Sequence, residues 1–378
     1  MSHDRDLTIL LTLKDRAAFT FRWMAYADRI RLPFKVLIAD GGADESVPRA
    51  LADRNRYPNV EYEYVRYPYD AAYLDYYAKM ANALGRVKTS YVVMADNDDF
   101  FVTRGLRQCV DFLSANPDYA SCGGQGAIFW FDPSLGSEDE QPYGQRVQWK
   151  YTSDFRSIDD ERASDRVLGQ ASSTSDSYYD VKRTEEAKRQ FGIVRDLGLC
   201  DLFMVELLVQ FLSVIAGRAK RFDTIHIARQ HDSPGSSGSE HQRKYGDWLG
   251  RMLVGSWSDD FAKFLGSAAE CLSAADRIPS DEAQARMLSA YRTAVTPALL
   301  SDLLDDPTVT PAMLASLAVV RRLVRRPEDS RVRRFIRSLY RRSRWISVAA
   351  VRGTGFIARI PSAGADFAPI RDFLTRKR

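Results

Sequence analysis

The chain has 378 residues, 45% of them hydrophobic and 28% charged, which is enough apolar material for a real core and excludes a disordered or collagen-like protein. Its net charge of +4 is uneven: Arg321 to Arg344 holds eleven arginines against Glu328 and Asp329, a local +9 that leaves the rest at −5, so the main fold is no general nucleic-acid binder and no nucleic-acid partner is expected. No signal-like apolar start, no run of about 18 apolar residues and no metal-type or disulfide-type spacing among Cys109, Cys122, Cys200 and Cys271 occur, so a cytoplasmic protein is expected.

Leu7 to Leu13 reads as a first buried strand, followed by Lys14-Asp15-Arg16 and a helical stretch from Ala17 to about Ile30. A second strand, Lys35 to Ala39, ends in Asp40-Gly41-Gly42, where glycine lets the backbone turn sharply and approach a ligand. A helix around Val47 to Asn55, a strand around Val60 to Val65 and a helix from Ala71 to Val87 follow. The last of these is expected to present Tyr73, Leu74, Tyr77, Ala81 and Leu84 on one face. Strand and helix alternate up to residue 100, the rhythm of an α/β fold with a mainly parallel sheet flanked by helices.

The fourth strand, with Val92, Val93 and Met94, runs into Asp96-Asn97-Asp98-Asp99 and then Phe100-Phe101. Open α/β sheets bind ligands at the carboxyl ends of their strands. Two carboxylates two residues apart on a tight turn there can converge on one hard cation that leaves positions for phosphate oxygens. The competing reading is that Asp98 or Asp99 only caps the helix expected from Thr103 to Ala115.

Beyond an apolar, Gly-rich stretch from Tyr119 to Phe131, residues 132–177 are irregular and loop-bracketed. Tyr178 to Val181 is a short strand and Thr184 to Phe191 a helix. Asp201 then opens a nearly all-apolar helix to about Ala216. Glu206, Gln210 and Ser213 form a polar stripe on it, facing either solvent or a cleft. A carboxylate buried at a cleft has a raised pKa and suits a proton acceptor, whereas in the plainer reading Asp201 is an N-cap and Glu206 a solvated residue. A strand from Arg221 to Ile227 ends in Arg229-Gln230-His231, before a Ser/Gly run. From His241 on the pattern is helical, which places a domain boundary near 240 and divides the chain into 1–240 and 241–378.

The first strand with its basic turn, the second strand ending in Asp40, the Asp96 to Asp99 turn and the helix from Asp201 to Gly217 together resemble the family 2-like glycosyltransferases of the GT-A fold, over about residues 7–232. The resemblance implies an inverting transfer of sugar from a nucleotide-sugar donor to the hydroxyl of a glycan or lipid-linked acceptor, as in cell-surface polysaccharide synthesis. It implies Mg²⁺ or Mn²⁺ held by Asp96 and Asp98 with His231. Thr12, Lys14, Arg16, Asp40, Asp96 and Arg229 would bind the nucleotide sugar, and Asp201 or Glu206 would be the base. The family's Glu-Asp pair before the later helix is absent here: Asp201 sits at the helix start and is preferred, while Glu206 lies at the usual distance before Gly217. A sugar nucleotidylyltransferase is a weaker match, since the turn Leu13-Lys14-Asp15-Arg16 lacks a phosphate-binding glycine. A non-enzymatic docking protein, with the acids as caps, is the other alternative.

In Arg331 to Arg344, Val332, Phe335, Ile336, Leu339 and Tyr340 recur at helical spacing among seven arginines. Such a basic amphipathic helix can lie on an anionic membrane surface, so a peripheral membrane location is expected, or it can pack on the second domain with a solvated basic face.

Overall fold

β1 (Leu7–Leu13), β2 (Lys35–Asp40), β3 (Tyr62–Arg66) and β4 (Tyr91–Asp96) pair in parallel in the order β3-β2-β1-β4. The computed structural model describes residues 6–131, 142–152, 155–173, 177–231, 237–305 and 363–375. All seven residues of β1 and the first five of β4 are buried, as expected of strands covered on both faces. Each such Leu, Ile or Val contributes roughly 1.5–3 kcal/mol of transfer free energy. The register sets Thr12 opposite Asp96 on one side and Leu13 opposite Asp40 on the other. Thr12 and Asp96 are thereby level at the carboxyl edge, with Asp40 one residue further along β2.

Helices α1 (Ala17–Arg29), α2 (Ser46–Ala52) and α3 (Tyr73–Arg86) connect these strands. The buried face of α3 differs from the expected one. Tyr77, Met80, Ala83 and Leu84 are buried with Lys79, while Leu74 is 44% exposed. The reason is that α3 packs on two partners, the sheet and α6 (Thr184–Leu197), so its buried arc is not the single stripe that periodicity picks out.

Beyond β4 the sheet changes character. β5 (Phe100–Phe101), α4 (Thr103–Ala115), β6 (Tyr119–Phe131), β7 (Val147–Thr152), α5 (Ala163–Ala171), β8 (Val181–Arg183), α7 (Leu202–Ala216) and β9 (Arg218–Gln230) follow. The sheet totals nine strands and continues β4-β8-β6-β9-β5, with β7 on β6. Only β6 and β9 are parallel here; β8, β7 and β5 pair antiparallel with their neighbours. The expected mainly parallel sheet therefore holds for β1 to β4 and gives way to a mixed half. Glycines make that half possible: a side chain at Gly124 would strike the Thr224 carbonyl, so β6 and β9 approach with shifted register at this point.

After β9 the described residues form α8 (Ser237–Tyr245), α9 (Trp248–Met252), α10 (Trp257–Asp276) and α11 (Ser280–Asp305). α10 packs on α7 and α11 on α5, and Phe264, Leu272, Met287 and Tyr291 share one core with the strands. α12 (Ala363–Leu374) returns to the sheet. Its Phe367, Ile370, Phe373 and Leu374 complete a second core cluster with Tyr26, Phe100 and Phe129, and Asp366 pairs with Arg104 at 3.0 Å. The segment Arg331 to Arg344 lies outside the described residues. No described helix is long and apolar enough to cross a membrane.

Candidate functional site

The β4 turn is pinned at both ends by apolar burial. Met94 and Ala95 are 1% exposed on one side, Phe100 and Phe101 0% and 3% on the other. The acids between them have no freedom to swing into solvent. Carboxylate oxygens of Asp96, Asp98 and Asp99 lie within 4.8 Å of one another, the one group of three metal-capable side chains among the described residues. The helix-capping reading of these acids gives way here. α4 starts at Val102 with no side-chain cap, and the carboxylates bond elsewhere.

Crowding three acids is costly unless cations and donors offset it. Asp96 accepts from Thr12 Oγ1 at 3.3 Å and from Tyr179 Oη at 2.5 Å. Asp98 pairs with Arg16 at 2.9 Å. Asp99 accepts from Arg229 Nε at 3.2 Å and from the Gln230 amide at 3.1 Å. Arg22, wholly buried, donates to the Asp98 carbonyl oxygen at 2.9 Å and to Gln230 Oε1 and the Pro142 carbonyl at 2.7 Å each. Burial first, and then the charge of Asp98, still raises the carboxyl pKa of Asp96. Burial raises that of Asp99 further. Burial likewise lowers the Arg22 guanidinium to about 10, so it remains a fixed cation at neutral pH. Hard oxygen donors with raised proton affinity are the donor set that Mg²⁺ or Mn²⁺ takes, and the residues fit such an ion.

The β1–α1 turn contributes the basic side of the site. Asp15 and Arg16 have φ of 55° and 53°, two successive non-glycine residues in the left-handed region. This costs roughly 1–2 kcal/mol each. Asp15 accepts the Ala43 amide at 2.7 Å, and a Cβ on Gly42 would sit 2.5 Å from the Asp15 nitrogen. The turn is thus packed tightly against the loop after β2. Asp40, 2% exposed, accepts from the Gly42 amide at 2.8 Å and from Tyr64 Oη and Arg66 at 2.7 Å each, so it shapes that loop from below. Lys79 reaches under both loops, binding the Leu13 carbonyl at 2.9 Å and the buried Asp70 carboxylate. Lys14 is exposed, its ammonium 5.5 Å from the Tyr69 ring.

His231 follows Gln230 and fixes its backbone to Phe129 at 2.8 Å; its side chain is exposed and is not a member of the three-acid group. Asp201 is the N-cap of α7, accepting from Met204 at 2.8 Å, and is gripped by Arg251, with Nε at 2.9 Å; His241 Nε2 lies 3.5 Å away. Burial works to raise its pKa, but His241, Arg251 and the Met204 amide outweigh it and bring Asp201 down to about 2. Glu206, a little over one turn further on, is half-buried. After burial, the charge of Glu206 is the main reason the Tyr77 phenol is held well above its ordinary pKa, and among the described residues Tyr77 Oη is buried without a hydrogen-bond partner. Tyr76, whose ring is 5.4 Å from that of Tyr77, reaches Thr12 at 3.4 Å, so the two tyrosines lead from Thr12 back along α3. The polar stripe on α7 is not a single cleft-facing surface. Ser213 is buried against Lys182 at 3.0 Å and Gln210 bonds Gln170 at 3.0 Å.

No family model and no curated protein matches the sequence. Solved structures do match in shape. One is S. aureus TarS 1-349 in complex with UDP-GlcNAc, at 10% identity over 80% of this chain and 76% of that one, with a TM-score of 0.49. Another is the mannosyltransferase PcManGT from Pyrobaculum calidifontis in complex with GDP-Man and Mn²⁺, at 14% identity over 84% and 82%, with a TM-score of 0.41. These likenesses are loose, and they assign no donor and no reaction to this chain.

Several residues of the site escape sequence reasoning. Asp99 stands beside Asp98 and reads there as a cap. Tyr179, Arg22 and Arg251 carry no spacing signal, because each meets its partner across 50 or more residues, and Asp70 and Lys79, nine residues apart, lie on a loop and a helix with no shared period.

Proposed function

We propose that this chain is an inverting glycosyltransferase that moves a sugar from a nucleoside-diphosphate sugar to a hydroxyl acceptor with the help of Mg²⁺ or Mn²⁺. The observation that carries the reading is the three-carboxylate group at the carboxyl end of β4, beside Thr12 and ringed by Arg16 and Arg229, at the same sheet edge at which β2 ends in Asp40. Asp96, Asp98 and Asp99 would hold the cation, with His231 one residue past the strand that anchors Asp99. When bound, the cation offsets the charge that develops on the departing diphosphate.

The chain's own groups do the rest. Arg16, Lys14 and Arg229 bind phosphate oxygens through charge-assisted bonds. The Asp40 loop lines the nucleoside side of the site, its Gly41 and Gly42 letting Asp70 and the β1–α1 turn pack closely against it. The acceptor oxygen forms a bond to the anomeric carbon as the bond from that carbon to the phosphate oxygen breaks. The acceptor proton goes to a carboxylate and the electron pair leaves with the nucleoside diphosphate. Glu206 is the better acceptor of that proton. Asp201, at about 2 and committed to Arg251, has little proton affinity at neutral pH.

The acceptor in this reading is a glycan or lipid-linked hydroxyl, reached from the inner face of a membrane through the basic segment Arg331 to Arg344. Salt-sensitive sedimentation with anionic liposomes tests that part, and equal binding by a chain ending near 320 defeats it. For the central claim, UDP, GDP, CMP and TDP are screened for thermal stabilisation with and without Mn²⁺. A Mn²⁺-dependent shift with one nucleoside diphosphate is expected. No shift with any of them overturns the reading.

A further inference from the structure

Three carboxylates face three guanidiniums around the β4 turn. Arg16 is on the Asp98 side chain, Arg229 on the Asp99 side chain, and Arg22 on the Asp98 carbonyl. In formal charge, then, the group of three acids is already matched by the protein's own arginines. A divalent cation added to it leaves an excess of two positive charges in a site where Asp96, Asp98 and Asp99 are largely shielded from water, and that excess is unfavourable unless anions arrive as well.

The three arginines are not equivalent. Arg22 is locked by three hydrogen bonds to three segments, its guanidinium also lying over the Phe19 ring at 4.6 Å and the Phe100 ring at 4.9 Å. Arg229 is splayed over Tyr179 at 4.4 Å and binds an oxygen of Asp99 whose partner oxygen is held by the Gln230 amide. Arg16 sits at the rim, 15% exposed, on a turn whose two left-handed residues aim it at the Asp98 carboxylate. A cation that takes Asp98 Oδ2 must move the Arg16 guanidinium off it.

We propose that Arg16 is an exchangeable counter-ion: it occupies Asp98 until a divalent cation replaces it, and then transfers its charge to the diphosphate of the incoming nucleotide. The device deepens the sugar-transfer reading and rests on it. Its consequence is positive coupling between cation and nucleotide, since each removes the other's electrostatic penalty, with coupling of roughly tenfold or more. Arg16 is a positioning residue for the acid turn and a phosphate ligand for the nucleotide in succession.

The test is Mn²⁺ affinity read by the electron paramagnetic resonance of free Mn²⁺, with and without the nucleoside diphosphate that stabilises the full-length protein, after correction for nucleotide–metal association in buffer. In the wild type, Mn²⁺ alone binds weakly and nucleotide tightens it. In Arg16→Gln, Mn²⁺ alone binds tighter, on the order of fivefold, while nucleotide binds more weakly and the coupling falls toward unity. Arg16→Lys, which keeps the charge but loses the planar fork, lies between the two and carries the test if the glutamine variant does not fold. Wild-type Mn²⁺ affinity and coupling in a folded variant overturn the exchange and leave the sugar-transfer reading standing. No Mn²⁺ binding by the wild type with any nucleotide overturns both.

Discussion

At the β4 turn, burial raises the pKa of Asp96 and Asp99 and their arginine partners only partly offset it, whereas at the head of α7 the buried Asp201 is brought down to about 2 by His241, Arg251 and a backbone amide. Both places bury acid against arginine. The difference is what else the carboxylate meets. The Asp201 carboxylate accepts two bonds from Arg251 and one from Met204, while the nearby Asp260 carboxylate is itself held by the Cys200 and Asp201 amides. Asp96 and Asp99 each meet a neighbouring acid at short range. A satisfied carboxylate is a structural part, and a frustrated group of them is a place for a cation and its ligand.

The sharpest way to break that comparison is at Asp98. Asp98→Asn removes a ligand and a charge. It is expected to abolish Mn²⁺-dependent nucleotide binding and to lower transfer by about a thousandfold, the scale of several kcal/mol of charge stabilisation. The measurement is calorimetric nucleotide binding with Mn²⁺, followed by turnover. Retained binding would leave the turn without its assigned role. Next is the pair on α7. Glu206→Gln is expected to lower kcat by roughly 10²–10⁴ with little change in Tm, the contribution of a placed base. Asp201→Asn, in contrast, is expected to act first on stability. The reverse pattern would return the base to Asp201.

Arg251→Met leaves Asp201 buried without its main cation and should cost about 3–5 kcal/mol in urea unfolding. A smaller effect concerns pH. The folded pKa of Asp201 lies below its unfolded value, so its contribution is fully present above about pH 4 and is lost as pH falls toward 2. That contribution is about 2 kcal/mol, and Asp201→Asn should flatten this part of the acid unfolding profile. The smallest effect is expected at Leu74, where Leu74→Ser on the exposed side of α3 should stay within about 0.5 kcal/mol. Leu84→Ala on the buried side should cost roughly 2–5 kcal/mol.

Much of this was legible in the chain itself. Strands β1, β2 and β4 are apolar runs, the last two ending in aspartate, and helix α4 runs over the residues its pattern predicts, because backbone hydrogen bonding and local burial set both periods. The acid turn was legible for the same reason, as an abrupt change at the end of a buried strand. Only the tertiary structure decided which acids are free to act. Arg16 and Asp98 are 82 residues apart, Tyr179 and Asp96 83, and Arg251 and Asp201 50. No local period records such meetings. The mixed half of the sheet and the docking of α12 beside Phe100 belong with them, since a strand's partner and a helix's bed are chosen by shape and burial across the whole chain.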